Sequence, residues 1–135
     1  MIIVDTSVWI SVLKDKTGKA GRAFRKKTSS DIIIFSHFVQ IELLQGAKDE
    51  FEFRQLDDYL ASQYYFEATE QTWRQAARIY FNLRRSGITI RSTIDCCIAC
   101  IAIEAQALLL HQDRDFERIA EVSPLFQEFF NPDIL

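Results

Sequence analysis

Four acids stand beside the most apolar stretches of this 135-residue chain: Asp5 after "MIIV", Glu42 inside "VQIELLQGA", Asp95 inside "STIDCCIAC", and Asp113 after "LLLHQ". A carboxylate next to a buried segment is costly to desolvate unless something compensates it. A hard divalent cation does so, because Mg²⁺ or Mn²⁺ takes oxygen ligands and cancels charges that would otherwise repel and raise one another's pKa. An ion held in that way can activate water and neutralise the oxygens of a phosphodiester.

Each acid also has a plainer reading. Ser92-Thr93-Ile94-Asp95 fits a capping box, which would make Asp95 a reciprocal helix cap. Asp5 followed by Thr6 and Ser7 fits turn chemistry at a strand end. Glu42 fits a solvated helix position or an ion-pair partner. Asp115, just ahead of "FERIAEV", reads as the N-cap of that helix, and capping is the expectation for it. For the other four, joint placement outweighs the separate readings.

That placement follows from the elements. "IIV" (2–4), "DIIIF" (31–35) and "ALLLH" (107–111) read as buried strands, with "YYFEA" (64–68) as a shorter one. "ALLLH" is the last strand expected, leaving a Phe-rich tail, "PLFQEFFNPDIL", bracketed by Pro124 and Pro132. Ser36 caps a helix over "HFVQIELLQGA", and "EFEFRQLDDYLAS" forms another with Phe53, Leu56 and Leu60 inward. Thr69 caps a long helix that carries Trp73, Ala76, Tyr80 and Leu83 on one stripe and stops at Gly87. "TIDCCIACIAI" is apolar nearly all round, so it is a buried helix. Strands alternating with helices, without hairpin signals, indicate an α/β fold with a parallel sheet covered on both faces. Ligands of such sheets bind outside the carboxyl ends of the strands. Asp5 and Asp113 lie just after strands, while Glu42 in the second turn of its helix and Asp95 in the first turn of its own reach that same edge.

The composition bounds the class. At 48% hydrophobic and 26% charged residues the chain reads as one globular domain over residues 1–135, without repeats. The N-terminus has no basic n-region and no apolar run is long enough for a bilayer, so a soluble, cytoplasmic protein with no membrane partner is expected. Cys96, Cys97 and Cys100 crowd one helix, and no second pair completes a zinc set, so they read as core thiols. The net charge of −3 argues weakly against a polyanionic partner. With four acids committed to a cation, that objection disappears. Lys14, Lys16, Lys19, Arg22, Lys26, Lys27 and Arg91 are then candidate phosphate contacts, each also readable as solvated surface.

Taken together, "MIIVDTSVWI", "VQIELLQGA", "STIDCCIAC" and "LLLHQDRDF" resemble, in order and spacing, the motifs of the PIN-domain ribonucleases, and among them the VapC toxins of type II toxin–antitoxin systems. The resemblance implies a PIN-like three-layer fold, a parallel β-sheet flanked by helices. It puts Asp5, Glu42, Asp95 and Asp113 on the family's acidic quartet. Asp5 and Asp95 would be the most direct ligands, Asp113 a ligand of the same or a second ion, and Glu42 a ligand or the group that orients water. It further implies a Mg²⁺- or Mn²⁺-dependent endoribonuclease that leaves a 5′-phosphate and a 3′-hydroxyl, with a structured tRNA or rRNA as substrate. A homodimer silenced by a VapB-like antitoxin is implied as well, and the aromatic surface of helix 49–63, Trp73, Tyr80 and the tail suits both interfaces. Cys100 stands where the family has a small residue. Asp115 matches a common family acid, which leaves it open between an outer ligand and a cap.

Rival classes fare less well. An aspartyl-nucleophile phosphatase would want an acid two residues after Asp5, where Ser7 stands. A nucleotide-binding protein would want a glycine-rich strand-to-helix loop, and none of the four glycines forms one. A non-catalytic binding module would not need the acids, and a deoxyribonuclease is the rival that the sequence excludes least.

Overall fold

Short β-branched and leucine-rich runs build the centre of the molecule. In the computed structural model, which describes residues 1–133, strands β1 (Ile2–Val4), β2 (Ile33–Phe35), β3 (Tyr64–Tyr65), β4 (Leu108–His111) and β5 (Gln127–Phe129) form one sheet. Their order is β3-β2-β1-β4-β5, and every pairing is parallel. The central strands bury both faces, as Ile3, Leu109 and Leu110 do completely, so they show no polar alternation.

Helices α1 (Thr6–Lys14), α2 (Lys19–Thr28), α3 (His37–Gln45) and α4 (Glu50–Ala61) fill the connections that step from β1 out to β3. The chain then crosses back over β1 through α5 (Glu70–Arg85) and α6 (Thr93–Glu104) to reach β4, and α7 (Asp115–Glu121) leads to β5. Right-handed crossovers put α1–α4 on one face and α5–α7 on the other. The packing agrees: α1 lies against α2 and α3, and α6 against α5 and α7. The direction of winding reverses between β1 and β4, which makes their carboxyl ends a topological switch point and the natural place for a crevice.

On the α1 face the core is aromatic, with Trp9 packed 5.0 Å from Phe24 and 5.4 Å from Phe35 between ring centroids. On the other face α6 buries Cys96, Ile98, Ala99, Cys100, Ile101 and Ala102 against the sheet and α5. Each buried isoleucine there contributes about 1.5–3 kcal/mol. Burial also pushes the Cys96 and Cys100 thiols up to about 12, so they are inert core filling. Gly87 has φ of 79°, the left-handed stop expected after α5.

Two expectations are corrected. The Phe-rich tail is not irregular: Gln127–Phe129 pairs with Leu109–His111 as a fifth strand. It lies at the sheet edge, and its polar residues are used there, Glu128 pairing with Lys27 at 2.7 Å. Its last two residues, 134 and 135, lie outside the described residues. In α4, Phe53 is exposed and only Leu60 is fully buried, because that helix leans on the body through its C-terminal end. Among the described residues no helix is long and apolar enough to cross a membrane.

Candidate metal centre

The carboxyl ends of β1 and β4 are joined first by backbone, the Asp5 N–H donating to Leu110 O at 2.9 Å. Asp5 then serves as the N-cap of α1. Its Oδ2 accepts the Ser7 N–H at 3.0 Å and the Ser7 hydroxyl at 2.5 Å. The Ser7 Oγ in turn accepts the Gln112 N–H at 2.9 Å, fastening the loop after β4 to the start of α1. Asp5 is almost wholly buried, and burial raises its pKa while the Ser7 bonds offset part of the rise. Next to it, the Thr6 hydroxyl donates to Glu42 Oε1 at 2.9 Å, tying α3 to α1. The turn chemistry read in "DTS" is therefore real, and it orients two of the acids.

Asp95 lies in the first turn of α6. The cap there is Ser92, whose hydroxyl accepts the Ile94 N–H at 3.1 Å. Among the described residues Asp95 makes no reciprocal bond to Ser92, so the capping-box reading of this acid fails and its carboxylate belongs to the cluster. Its pKa is pushed up to about 7, by burial first and then by the charges of Asp5, Asp113, Asp115 and Glu42. Asp5, Glu42, Asp113 and Asp115 thus all bear on Asp95 at a single sheet edge.

Asp115 corrects the sequence expectation. The helix begins at Asp115 itself, so this residue is inside α7 and does not flank it. The carboxylate that receives an orphan N–H of that turn is Asp113, whose Oδ1 accepts the Asp115 N–H at 2.9 Å. Asp115 is buried and points into the site, where its oxygens meet Arg118 Nη1 at 2.6 Å and the Arg91 N–H at 3.3 Å. One oxygen each of Asp95, Asp113 and Asp115 lie within 4.8 Å of one another. The tight trio is therefore Asp95, Asp113 and Asp115, with Asp5 and Glu42 held beside it by Ser7 and Thr6.

Sequence reasoning also missed His111. Fully buried at the end of β4, it accepts the Asp113 N–H on Nδ1 at 3.2 Å and meets Gln127 Oε1 through Nε2 at 2.6 Å. Those partners assign the proton to Nε2. The imidazole braces the loop that presents Asp113, and its partner Gln127 lies in β5, a strand that no hydrophobic alternation marks in the sequence.

Among the described residues the donor set is made of carboxylate oxygens with hydroxyls behind them, and no sulfur or imidazole joins the trio. That chemistry fits a hard divalent cation, which would offset both the burial and the neighbouring charges that raise the pKa of Asp95. Of the basic candidates, Lys19 and Lys27 are engaged by Asp133 and Glu128, and Arg91 by Asp113 and Asp115. Lys14, Lys16, Arg22 and Lys26 are exposed.

A parallel sheet whose switch point gathers carboxylates defines an α/β domain with a candidate cation site. The chain belongs to the PIN-domain family, whose model matches residues 2–122. It is similar to the VapC ribonuclease Mb1587 of Mycobacterium bovis and to ribonuclease VapC11 of Mycobacterium tuberculosis. Each is 34% identical over an alignment of 130 residues that covers 93% of this chain and 96% of the relative. Among solved structures, VapBC-1 from nontypeable Haemophilus influenzae matches with a TM-score of 0.78 at 22% identity, covering 96% of this chain and 98% of that one. VapBC2 from Rickettsia felis, bound to a DNA fragment from their promoter, matches with a TM-score of 0.74 at 22% identity, covering 97% and 100%.

Proposed function

We propose that this protein is the toxin of a type II toxin–antitoxin pair and acts as a metal-dependent endoribonuclease, its chemistry carried by a single domain over residues 1–135. The observation that carries the proposal is the convergence of Asp5, Glu42, Asp95, Asp113 and Asp115 at the β1/β4 switch point, where burial first and the other four acids next push the pKa of Asp95 up to about 7. Ribonucleases 34% identical over nearly the whole chain support RNA as the substrate. A structured tRNA or rRNA is the class that the family resemblance implies.

Asp95, Asp113 and Asp115 would hold Mg²⁺ or Mn²⁺, with Asp5 as a further ligand and Glu42 as a ligand or the group that orients water. When bound, such an ion lowers the pKa of water and neutralises the phosphodiester oxygens, so that no 2′-hydroxyl is needed and the products carry a 5′-phosphate and a 3′-hydroxyl. Ser7 fixes Asp5 in one orientation. Thr6 occupies Glu42 Oε1 and leaves Oε2 to accept a proton from the attacking water. His111 and Gln127 hold the Asp113 loop in place. We further propose that the protein works as a homodimer and is silenced by a VapB-like antitoxin.

The test is to incubate the purified protein and an Asp5→Asn variant with total RNA, with Mg²⁺ and with EDTA, and to map the ends. Discrete cuts with 5′-phosphates, present only for the unaltered protein with metal, are expected. Cleavage that persists in EDTA or in the variant would remove the metal mechanism.

A further inference from the structure

Among the described residues, Arg91 is the cation that reaches two of the clustered acids at once. Arg91 Nη2 lies 3.0 Å from Asp113 Oδ2, and its Nε lies 3.7 Å from Asp115 Oδ2. The neighbouring arginines are committed differently. Arg118 pairs with Asp115 within α7, and Arg114 sits 4.1 Å over the Phe129 ring while also pairing with Glu117. Arg91 is also built differently. Its root is fixed, because Ile90 is buried, Ser92 caps α6, and the Arg91 N–H itself bonds Asp115. Its side chain, in contrast, is 82% exposed. The guanidinium can therefore leave the acids without exposing apolar surface or breaking the loop.

The atom it occupies matters. Asp113 Oδ1 already receives the Asp115 N–H, so Oδ2 is the less encumbered oxygen, and Arg91 holds it. A divalent ion drawing on Asp113 competes with Arg91 for that oxygen and carries twice its charge. Once the carboxylates are taken, an anchored guanidinium at the rim has lost its partners and faces the place where a phosphodiester must lie. Guanidinium binds phosphate in a bidentate manner.

We propose that Arg91 is a two-state side chain: a counter-ion to Asp113 and Asp115 until a divalent cation takes those oxygens, and thereafter a phosphate-binding group for RNA. This rests on the reading of the acids as a cation site, and the experiment separates the two. Mn²⁺ binding is measured by calorimetry without RNA for the unaltered protein, Arg91→Ala and Arg91→Lys. The KM for RNA cleavage is then measured at saturating Mn²⁺ over a range of salt. Removing the competitor should tighten Mn²⁺ binding in Arg91→Ala by about two- to fivefold, the scale of one exposed ion pair. The same variant should raise KM, and the slope of log KM against log salt should fall by about 1, as for one lost phosphate contact. Arg91→Lys should recover the salt slope but only part of the KM, because an ammonium supplies the charge without the bidentate contact. An unaltered protein that takes no Mn²⁺ overturns the cation site itself. Normal Mn²⁺ binding that is unchanged or weaker in Arg91→Ala overturns the two-state proposal alone, as does tighter binding with an unchanged KM.

Discussion

The Ser7 hydroxyl accepts the Gln112 N–H at 2.9 Å while donating to Asp5 at 2.5 Å. One oxygen atom thus couples the end of β1 to the end of β4, the two strands that flank the switch point. Replacing Ser7 by Ala leaves the Gln112 N–H without its partner and leaves the Asp5 carboxylate with the Ser7 backbone N–H alone of its two bonds to that residue. Unfolding free energy should fall by about 1–3 kcal/mol, the cost of an unmade hydrogen bond at a partly buried group. Asp5 also loses the largest of the bonds that offset its burial, so the acidic limb of the activity–pH profile should move to higher pH. Chemical denaturation and a pH–rate profile of Ser7→Ala check both, and an unchanged profile would show that Asp5 does not depend on Ser7.

Asp95 makes the metal-free protein sensitive to pH in a definite direction. A carboxyl whose folded pKa, about 7, lies above its unfolded value binds more protons folded than unfolded. Its penalty is absent below the unfolded pKa, grows as the pH rises between the two values, and is complete above the folded one. Without divalent ions the thermal midpoint should therefore drop between pH 5 and pH 8, and Asp95→Asn should flatten that drop. Mn²⁺ should raise the midpoint more at pH 8 than at pH 5. Melting curves in EDTA and in Mn²⁺ at the two pH values decide the matter, and equal metal stabilisation at both would remove Asp95 from the cation site.

Asp113 and Asp115 divide their roles in a way that paired variants can separate. Asp113 receives the Asp115 N–H at the start of α7, whereas Asp115 gives the helix no such cap. Asp113→Ala should lose about 1 kcal/mol more stability than Asp115→Ala, the worth of a cap. Both should weaken Mn²⁺ binding by roughly tenfold or more, as expected when a ligand or its close support is lost. A stable Asp115→Ala protein with undiminished Mn²⁺ affinity would restore Asp115 to a structural role.

How far the sequence could be read depended on where each signal resided. The β-branched and leucine runs around Ile3 and Leu109 are buried on both faces, so their composition alone identified them as parallel strands. Ser36, Thr69 and Gly87 announced helix ends because capping is local chemistry. Asp5, Glu42, Asp95 and Asp113 could be brought to one edge because strand ends and first turns are set by the same local signals. Asp115 was misjudged because a cap and a residue one step inside the helix differ by a single position, and the choice was made by Asp113 two residues earlier. His111 and β5 were missed together. An edge strand of Gln127, Glu128 and Phe129 carries no hydrophobic alternation, and its pairing with Leu109–His111 is a tertiary decision. The inward place given to Phe53 failed because helical periodicity shows which residues share a face, not how close that face comes to the core.

The last prediction concerns the partner. Several large apolar side chains remain open to solvent: Leu13 at the end of α1, Phe51 on α4, Trp73 on α5 and Phe126 before β5. Phe51 and Leu13 line one shallow depression between α1 and α4, and Trp73 lines another with Phe38 and Ile41 of α3. Apolar surface on two sides of a small domain suits one face for a second copy and another for a partner. Expression of the chain alone should arrest growth, and co-expression with the gene encoded beside it should restore growth and yield a complex that co-purifies. Asp5→Asn should abolish the arrest but keep the complex, because the apolar faces do not include Asp5. A protein that is harmless alone yet cuts RNA in vitro would remove the toxin role and leave the nuclease standing. Loss of the complex in Asp5→Asn would show instead that the partner is held by the acidic crevice and not by the apolar faces.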